Sequence, residues 1–391
     1  MIHAESRPAA SGQSRATQFA LGLTGFGAFL NLYAPQPLLP LFRQLFHASE
    51  FQVSLTISAS VFAVALSAPC VGFVADRFGR KSVILTAMIS LGVTTAIAAT
   101  ATSLPALIGW RFLQGVFVPG VLAVAMAYVS EETPPETVGA TMAAYVTGGV
   151  IGGFAGRFLT GLVSASWGWP AGFVLLGVAT LACAACVAML LPTSTHFVRQ
   201  QTAFFSVLGR HLTNPQLLAT YAVGFNVLLS IVAAFTYVNF YLADPPFHLS
   251  TSGLSLIFGV YLIGAAITPA AGRLIDRVGY RRALIGAVSV SGIGMLVTLI
   301  PHLAMIVAGL TLLASGVFTC QAAASTQVGR AARGARSSAA GLYLTLYYLG
   351  GAIGSAVPGL VWHALGWPGC VLFVLIVQIA MATIAYTQWT D

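Results

Sequence analysis

Two arginines lie inside long apolar stretches of the chain: Arg111 in the run 104–129 and Arg157 in the run 138–164. Arg111 sits about seven residues after its run begins and Arg157 about seven before its run ends, so in consecutive antiparallel helices both lie roughly 10 Å deep from one side. A guanidinium at such depth is costly and marks a functional position by default. The pair implies a basic binding site for a solute, and the alternative is a tie between helices through backbone carbonyls. Amides and phenols recur at similar depth: Asn31, Gln36, Gln114, Asn226, Tyr237, Asn239, Gln321 and Tyr347. Each alone is explained by helix–helix hydrogen bonding; together they imply a polar pathway. Pro35 and Pro37 interrupt the first run around Gln36, freeing backbone groups beside it.

The nine carboxylates are Glu5, Glu50, Asp76, Glu131, Glu132, Glu136, Asp244, Asp276 and Asp391, and none falls in the middle of an apolar run. No histidine does either. A proton-linked process would have to use Glu50 or Asp244 at a rim, Asp76, or the solute itself. A cationic solute would meet two arginines and no anion, which favours a neutral polar or anionic one. H-E-x-x-H and G-x-S-x-G are absent, so an enzyme is not expected, and without a P-loop direct use of ATP is unsupported. No metal site or cofactor is expected. Cys183-x-x-Cys186 lies in apolar sequence and reads as helix packing; five cysteines, all in apolar runs, do not make a disulfide framework.

The elements that must hold these residues follow from composition. Of 391 residues 58% are hydrophobic and 7% charged, against about 25% charged in soluble domains. Runs of twenty or more apolar residues recur, the length that crosses a bilayer as helix. The fold class is therefore an all-α membrane protein, and the lipid bilayer is its first partner. Twelve spans are expected, near 17–42, 51–75, 81–100, 104–129, 138–164, 169–191, 215–243, 251–275, 282–300, 303–329, 337–362 and 367–389. Fourteen of the seventeen basic residues fall in loops on one side, Arg43 alone on the other. That asymmetry places both termini in the cytoplasm. It also accounts for the net charge of +8 without a nucleic-acid partner.

Gly72-Phe73-Val74-Ala75-Asp76-Arg77-Phe78-Gly79-Arg80-Lys81 returns 200 positions later as Gly272-Arg273-Leu274-Ile275-Asp276-Arg277-Val278-Gly279-Tyr280-Arg281. Tyr145, Gly148, Gly149 and Gly152 return as Tyr347, Gly350, Gly351 and Gly354, and Trp169-Pro170 as Trp367-Pro368. Two parallel six-helix halves related by an axis along the membrane normal are implied, with a binding site between them near mid-membrane. The division is a tail over 1–16, one half over 17–191, a linker over 192–214 and the second half over 215–391. Phe197 to Arg210 in the linker, aromatic and basic, fits a short helix on the membrane face or a plain connector.

Across essentially its whole length the chain resembles the major facilitator superfamily. The two G-x-x-x-D-R-x-G loops occupy the places of that family's signature loop, and Arg111-Phe112-Leu113-Gln114-Gly115 resembles its R-x-x-Q-G element. Gly148 to Arg157 resembles the glycine-rich motif of exporters, with Arg157 where a proline is usual, which is most similar to the YnfM-like branch of the twelve-span proton antiporters. The resemblance implies a monomeric secondary active transporter of the inner membrane that exports a small organic solute by alternating access, driven by the proton gradient. A broad-specificity drug efflux antiporter is the alternative, and a channel or sensor is a more remote one. It also implies that spans 1, 4, 7, 10 and 11 line the pathway. The loop residues Gly72, Asp76, Arg77, Gly79, Arg80, Gly272, Asp276, Arg277 and Gly279 would then form a conformational gate. Asp76 would dock on the start of span 11 near Ser337 and Ser338, and Asp276 on the start of span 5 near Val138, where helix dipoles favour an anion. The acidic loop with Glu131, Glu132 and Glu136 would face the basic stretch Arg273 to Arg282.

Overall fold

In a computed structural model of the chain, which describes residues 8–194, 213–332 and 336–389, the described elements are helical. Span 1 is interrupted: a helix Pro8–Leu32, a 3-10 turn Gln36–Leu38 and a short helix Leu39–Leu45. Prolines at 35, 37 and 40 remove amide donors there and prevent a continuous ladder. Spans 2 to 7 follow as Glu50–Phe78, Arg80–Ala98, Leu104–Glu132, Val138–Trp167, Trp169–Leu190 and Pro215–Ala243. Span 8 is broken into Thr251–Ile257 and Val260–Val278. Spans 9 and 10 are Tyr280–Val297 and Leu303–Ala331. Span 11 runs through Arg336–Ala356 into the start of Pro358–Gln388, and span 12 is the part of that helix after a kink at Gly366. Most of the linker lies outside the described residues, and with it the stretch Phe197 to Arg210.

Local sequence explains the joints. Ser49 and Gln52 make a reciprocal capping box that starts span 2. The joints after spans 2 and 8 turn on Gly79 (φ +84°) and Gly279 (φ +88°), a backbone region that side chains avoid, so the repeated motif needs glycine at its last small position. Nine of the described helices are long and apolar enough to cross a membrane.

The repeat seen in the sequence is a repeat of packing. Span 1 lies against span 5 because a methyl on Gly148, Gly152 or Gly156 would strike the backbone of Gly22, Phe26 or Leu30. Span 7 lies against span 11 in the same manner, with Gly350 and Gly354 on the backbone of Phe225 and Leu229. Where there is no hydrophobic drive between helices, such small-residue contact is what brings backbones close. Two pseudo-symmetric six-helix halves result, as the sequence implies.

The halves meet along spans 2 with 11 and 5 with 8. Ser58 donates to the Ala352 carbonyl at 2.7 Å, and Gly351 lies against Val61. Gly161 touches Thr251 and Ser255, and Phe154 lies near Gly259. All of these lie in the part of the spans away from the G-x-x-x-D-R-x-G loops, here called the far side. Followed toward the motif side, the same antiparallel register would bring Gly72 level with Gly341, and Gly139 within a turn of Gly272. A Cβ on any of these four would meet nothing within 4 Å among the described residues. Both helix pairs therefore diverge toward the motif side: the halves are closed at the far side and splayed at the other.

Candidate functional site

Arg111 and Arg157 are both almost wholly buried, at 1% and 4% exposure, and they are used differently. Arg111 closes the break in span 1. Its Nε donates to the Thr56 carbonyl at 3.0 Å, Nη1 to the Asn31 carbonyl at 3.0 Å and to Gln114 Oε1, and Nη2 to the Leu32 carbonyl at 2.5 Å. The Leu32 carbonyl is among those left without an intrahelical donor when a helix ends, and the Asn31 carbonyl has only a long turn bond from the Ala34 N–H at 3.4 Å. All three guanidinium nitrogens are taken up by spans 1, 2 and 4. The Gln114 Nε2 is buried with no partner among the described residues.

Arg157 faces the other half. Nε donates to Gln36 Oε1 at 2.6 Å and Nη1 to its own Gly153 carbonyl at 2.6 Å, while Nη2 makes no hydrogen bond among the described residues. Its guanidinium carbon lies 5.0 Å from the ring centre of Tyr33, 4.9 Å from Phe258 and 4.8 Å from Tyr261. Tyr33 belongs to the first half, Phe258 and Tyr261 to span 8 of the second. Tyr347 of span 11 is an electrostatic neighbour of Tyr33. Spans 1 and 8, the two broken ones, thus converge on Arg157. Interrupted helices at a mid-membrane interface are a recurrent way to build a transport site. No carboxylate lies within ion-pair distance of either arginine among the described residues.

The repeat makes this site one-sided. At the offset of 202 that relates spans 5 and 11, the counterpart of Arg157 is Gly359. A side chain there would collide with the Tyr237 hydroxyl, which instead donates to the carbonyls of Ser355 (2.9 Å) and Ala356 (3.1 Å). The halves share a backbone plan, and at this pair of equivalent positions only the first carries a guanidinium.

The other expected residues divide into two groups. Gln36 joins the site: it holds Arg157 and donates to Thr236 Oγ1 of span 7 at 3.2 Å. Tyr347 stacks on Tyr343 at 5.9 Å, and Tyr343 donates to Gln321 Oε1 at 2.9 Å. Asn31, in contrast, binds Thr180 and Thr95 and knits spans 1, 6 and 3. Asn226 and Asn239 turn back to carbonyls of their own helix, Ala222 and Phe235. Sequence reasoning did not single out Tyr33, Phe258 and Tyr261. The available signal was Tyr33 directly before the Pro35-Gln36-Pro37 break.

Above the site, at the far side, four charged or titratable groups join the halves. Arg43 donates twice to Asp244, at 2.6 and 3.0 Å, and once to Glu50 at 2.9 Å; His363 lies 3.4 Å from the other Glu50 oxygen. Glu50 is 6% exposed. Two carboxylates accept from this one guanidinium, and their negative charge keeps it charged. Gln36 with Thr236 and Arg43 with Asp244 are 200 and 201 positions apart, the spacing of the repeat itself. Equivalent positions can touch only near the axis relating the halves, so both contacts mark that axis.

At the motif side the signature residues act within their own half. Asp76 pairs with Arg80 at 2.8 Å, and Arg80 makes a two-pronged contact with Glu131 at 2.9 and 3.0 Å. These contacts lie within the first half. Glu131 is thus engaged by Arg80 of its own half. Arg77 lies over Phe78, and Arg277 is exposed. The side chains of Asp276, Arg336 and Ser337 and the whole of Arg333 lie outside the described residues.

Comparison with known proteins agrees with this architecture. The family model described as Major Facilitator Superfamily matches residues 21–245 and 244–389. The chain is 32% identical over 364 residues to the inner membrane transport protein YnfM of Escherichia coli (strain K12), covering 92% of this chain and 87% of that one. It is 32% identical over 372 residues to the uncharacterized MFS-type transporter YybF of Bacillus subtilis (strain 168), covering 93% and 92%. Among solved structures, a bacterial homolog of the human lysosomal transporter Spinster, inward-facing and occupied, superposes with a TM-score of 0.78 at 16% identity, covering 99% of this chain and all of that one.

Proposed function

This chain belongs to the Major Facilitator Superfamily and is a multi-pass membrane transporter rather than an enzyme; on that premise we propose that it is a proton-coupled exporter of a small polar neutral or anionic organic solute, with anions preferred. The observation that carries the solute class is Arg157: buried, placed where the halves meet, faced by rings from both, and without a carboxylate partner among the described residues. An anion is the ligand such a group lacks, and charge-assisted hydrogen bonds are the strong ones.

The protein sits in the inner membrane as a monomer with both termini in the cytoplasm, so the motif side is cytoplasmic and the structure is closed to the outside. Arg43, Asp244 and Glu50 form the outer latch of this state. In the opposite state the halves rock, the outer latch parts, and Asp76 leaves Arg80 for the start of span 11. Arg111 ties the broken span 1 to spans 2 and 4, so the first half moves as one body.

A broad drug exporter is the second reading, favoured by the aromatic lining of the site; the unbalanced guanidinium speaks against lipophilic cations. The test is counterflow in proteoliposomes, using a radiolabelled solute chosen by thermal-shift screening of purified protein against anionic, neutral and cationic metabolites. Uptake accelerated by the same solute inside, and increased by a proton gradient directed against its flow, is the expected result. Flux indifferent to internal solute would mean a channel, and indifference to the proton gradient would remove the coupling.

A further inference from the structure

We infer, building on the reading of Arg157 as the solute-binding group, that the solute is an organic anion with a flat aromatic or conjugated body. Its acid group takes the free edge of Arg157 while its ring lies against Tyr33, Phe258 and Tyr261. The polar groups gathered here are of one kind. Arg157 Nη2 has no acceptor among the described residues, and the Tyr33 hydroxyl is buried without a partner. The hydroxyls of Tyr261 and Tyr347, electrostatic neighbours of each other and of Tyr33, also make no hydrogen bond among the described residues. The guanidinium edge can only donate and each phenol can donate one hydrogen bond, so a ligand that brings acceptors and negative charge satisfies all of them.

The walls are of one kind as well. From Tyr261 the ring contacts continue to Phe235 at 4.5 Å and Phe318 at 5.6 Å, and from Tyr347 to Tyr348 at 5.4 Å. Spans 1, 7, 8, 10 and 11 each add at least one ring. Ring faces hold a guanidinium by their quadrupole, and the same faces accept another ring in offset or edge-on contact. An aromatic acid therefore satisfies both features at once: its carboxylate supplies the acceptors, and its ring replaces the guanidinium on the aromatic faces. Phe258 and Tyr261 belong to the second half, so drawing Arg157 off them loosens a contact between the halves as the solute binds.

The test measures binding of three molecules of one skeleton to the purified full-length protein: benzoate, benzamide and cyclohexanecarboxylate. Benzoate is expected to bind about 10- to 100-fold tighter than benzamide, the worth of one hydrogen bond to a charged group. It is expected to bind about 3- to 10-fold tighter than cyclohexanecarboxylate, the worth of aromatic contact beyond area. Tyr261→Leu should erase the second ratio and keep the first; Phe258→Leu gives the same readout should the first variant fold poorly. Benzoate and cyclohexanecarboxylate binding equally, both above benzamide, would overturn the aromatic inference and leave the anion reading standing. Benzamide binding as well as benzoate, or no binding of any of the three at millimolar concentration, would overturn both.

Discussion

Arg111 and Arg157 are the same residue type, buried to the same degree and at similar depth in neighbouring helices, yet one is consumed by backbone and the other is held out toward the opposite half. The difference lies in the supply of acceptors. The break in span 1 leaves the Leu32 carbonyl open and the Asn31 carbonyl with only a long turn bond just where Arg111 arrives, and Thr56 and Gln114 take its remaining donors. Arg157 follows a glycine stripe whose own helix is intact, so it finds one carbonyl of its own turn, one amide, and rings. A buried guanidinium becomes structural where a helix end is in reach, and remains available for a ligand where none is.

Substitutions can break that contrast. Arg111→Ala should have the largest effect, and on folding: it leaves the buried Leu32 carbonyl and Gln114 Oε1 without a donor, at about 1–3 kcal/mol each, and unties spans 1, 2 and 4, so yield and unfolding temperature in detergent should both fall sharply. Folded Arg111→Ala protein of wild-type stability would contradict the clamp. Arg157→Lys keeps charge and loses the planar fork. It should lower counterflow by about 100-fold, with an unfolding temperature close to wild type. A loss of stability equal to that of Arg111→Ala would merge the two roles.

The two ends of the molecule offer a second contrast, one latched and one open. Asp76→Asn should remove most transport, about tenfold, while protein stays in the membrane, because a neutral amide is a weaker partner for a helix N-terminus. Full activity in that variant would remove the cytoplasmic latch. Arg43→Gln should act least, a several-fold shift, since its ion pairs are partly exposed. A pair of spin labels across the far-side ends of spans 1 and 7 should report more of the separated population in Arg43→Gln, and an unchanged distance distribution would take the latch out of the account.

Much of this was legible in the sequence. The twelve spans, the doubled half and the turn glycines follow from run length, repeat offset and motif, since membrane helices announce themselves by composition. The residues of the pathway were only partly legible. Asn31, Asn226 and Asn239 have the right type and depth, but helix rotation, which apolarity does not fix, turns them onto hydroxyls or their own backbone. Tyr33, Phe258 and Tyr261 were passed over because aromatic residues are common in apolar runs, and their meeting at Arg157 depends on how the two halves dock. The pairing of Arg43 with Asp244 was hidden for the same reason, though their repeat spacing encodes it.

The central claim is that Arg157 receives the solute's negative charge. It is tested most directly by a thermal-shift screen of anionic, neutral and cationic metabolites on wild-type protein and on Arg157→Gln, both in the folded state. The account predicts that the compounds stabilising the wild type are anions and that their shifts disappear in Arg157→Gln. Stabilisation mainly by cations, or anion shifts that survive the substitution, would contradict it.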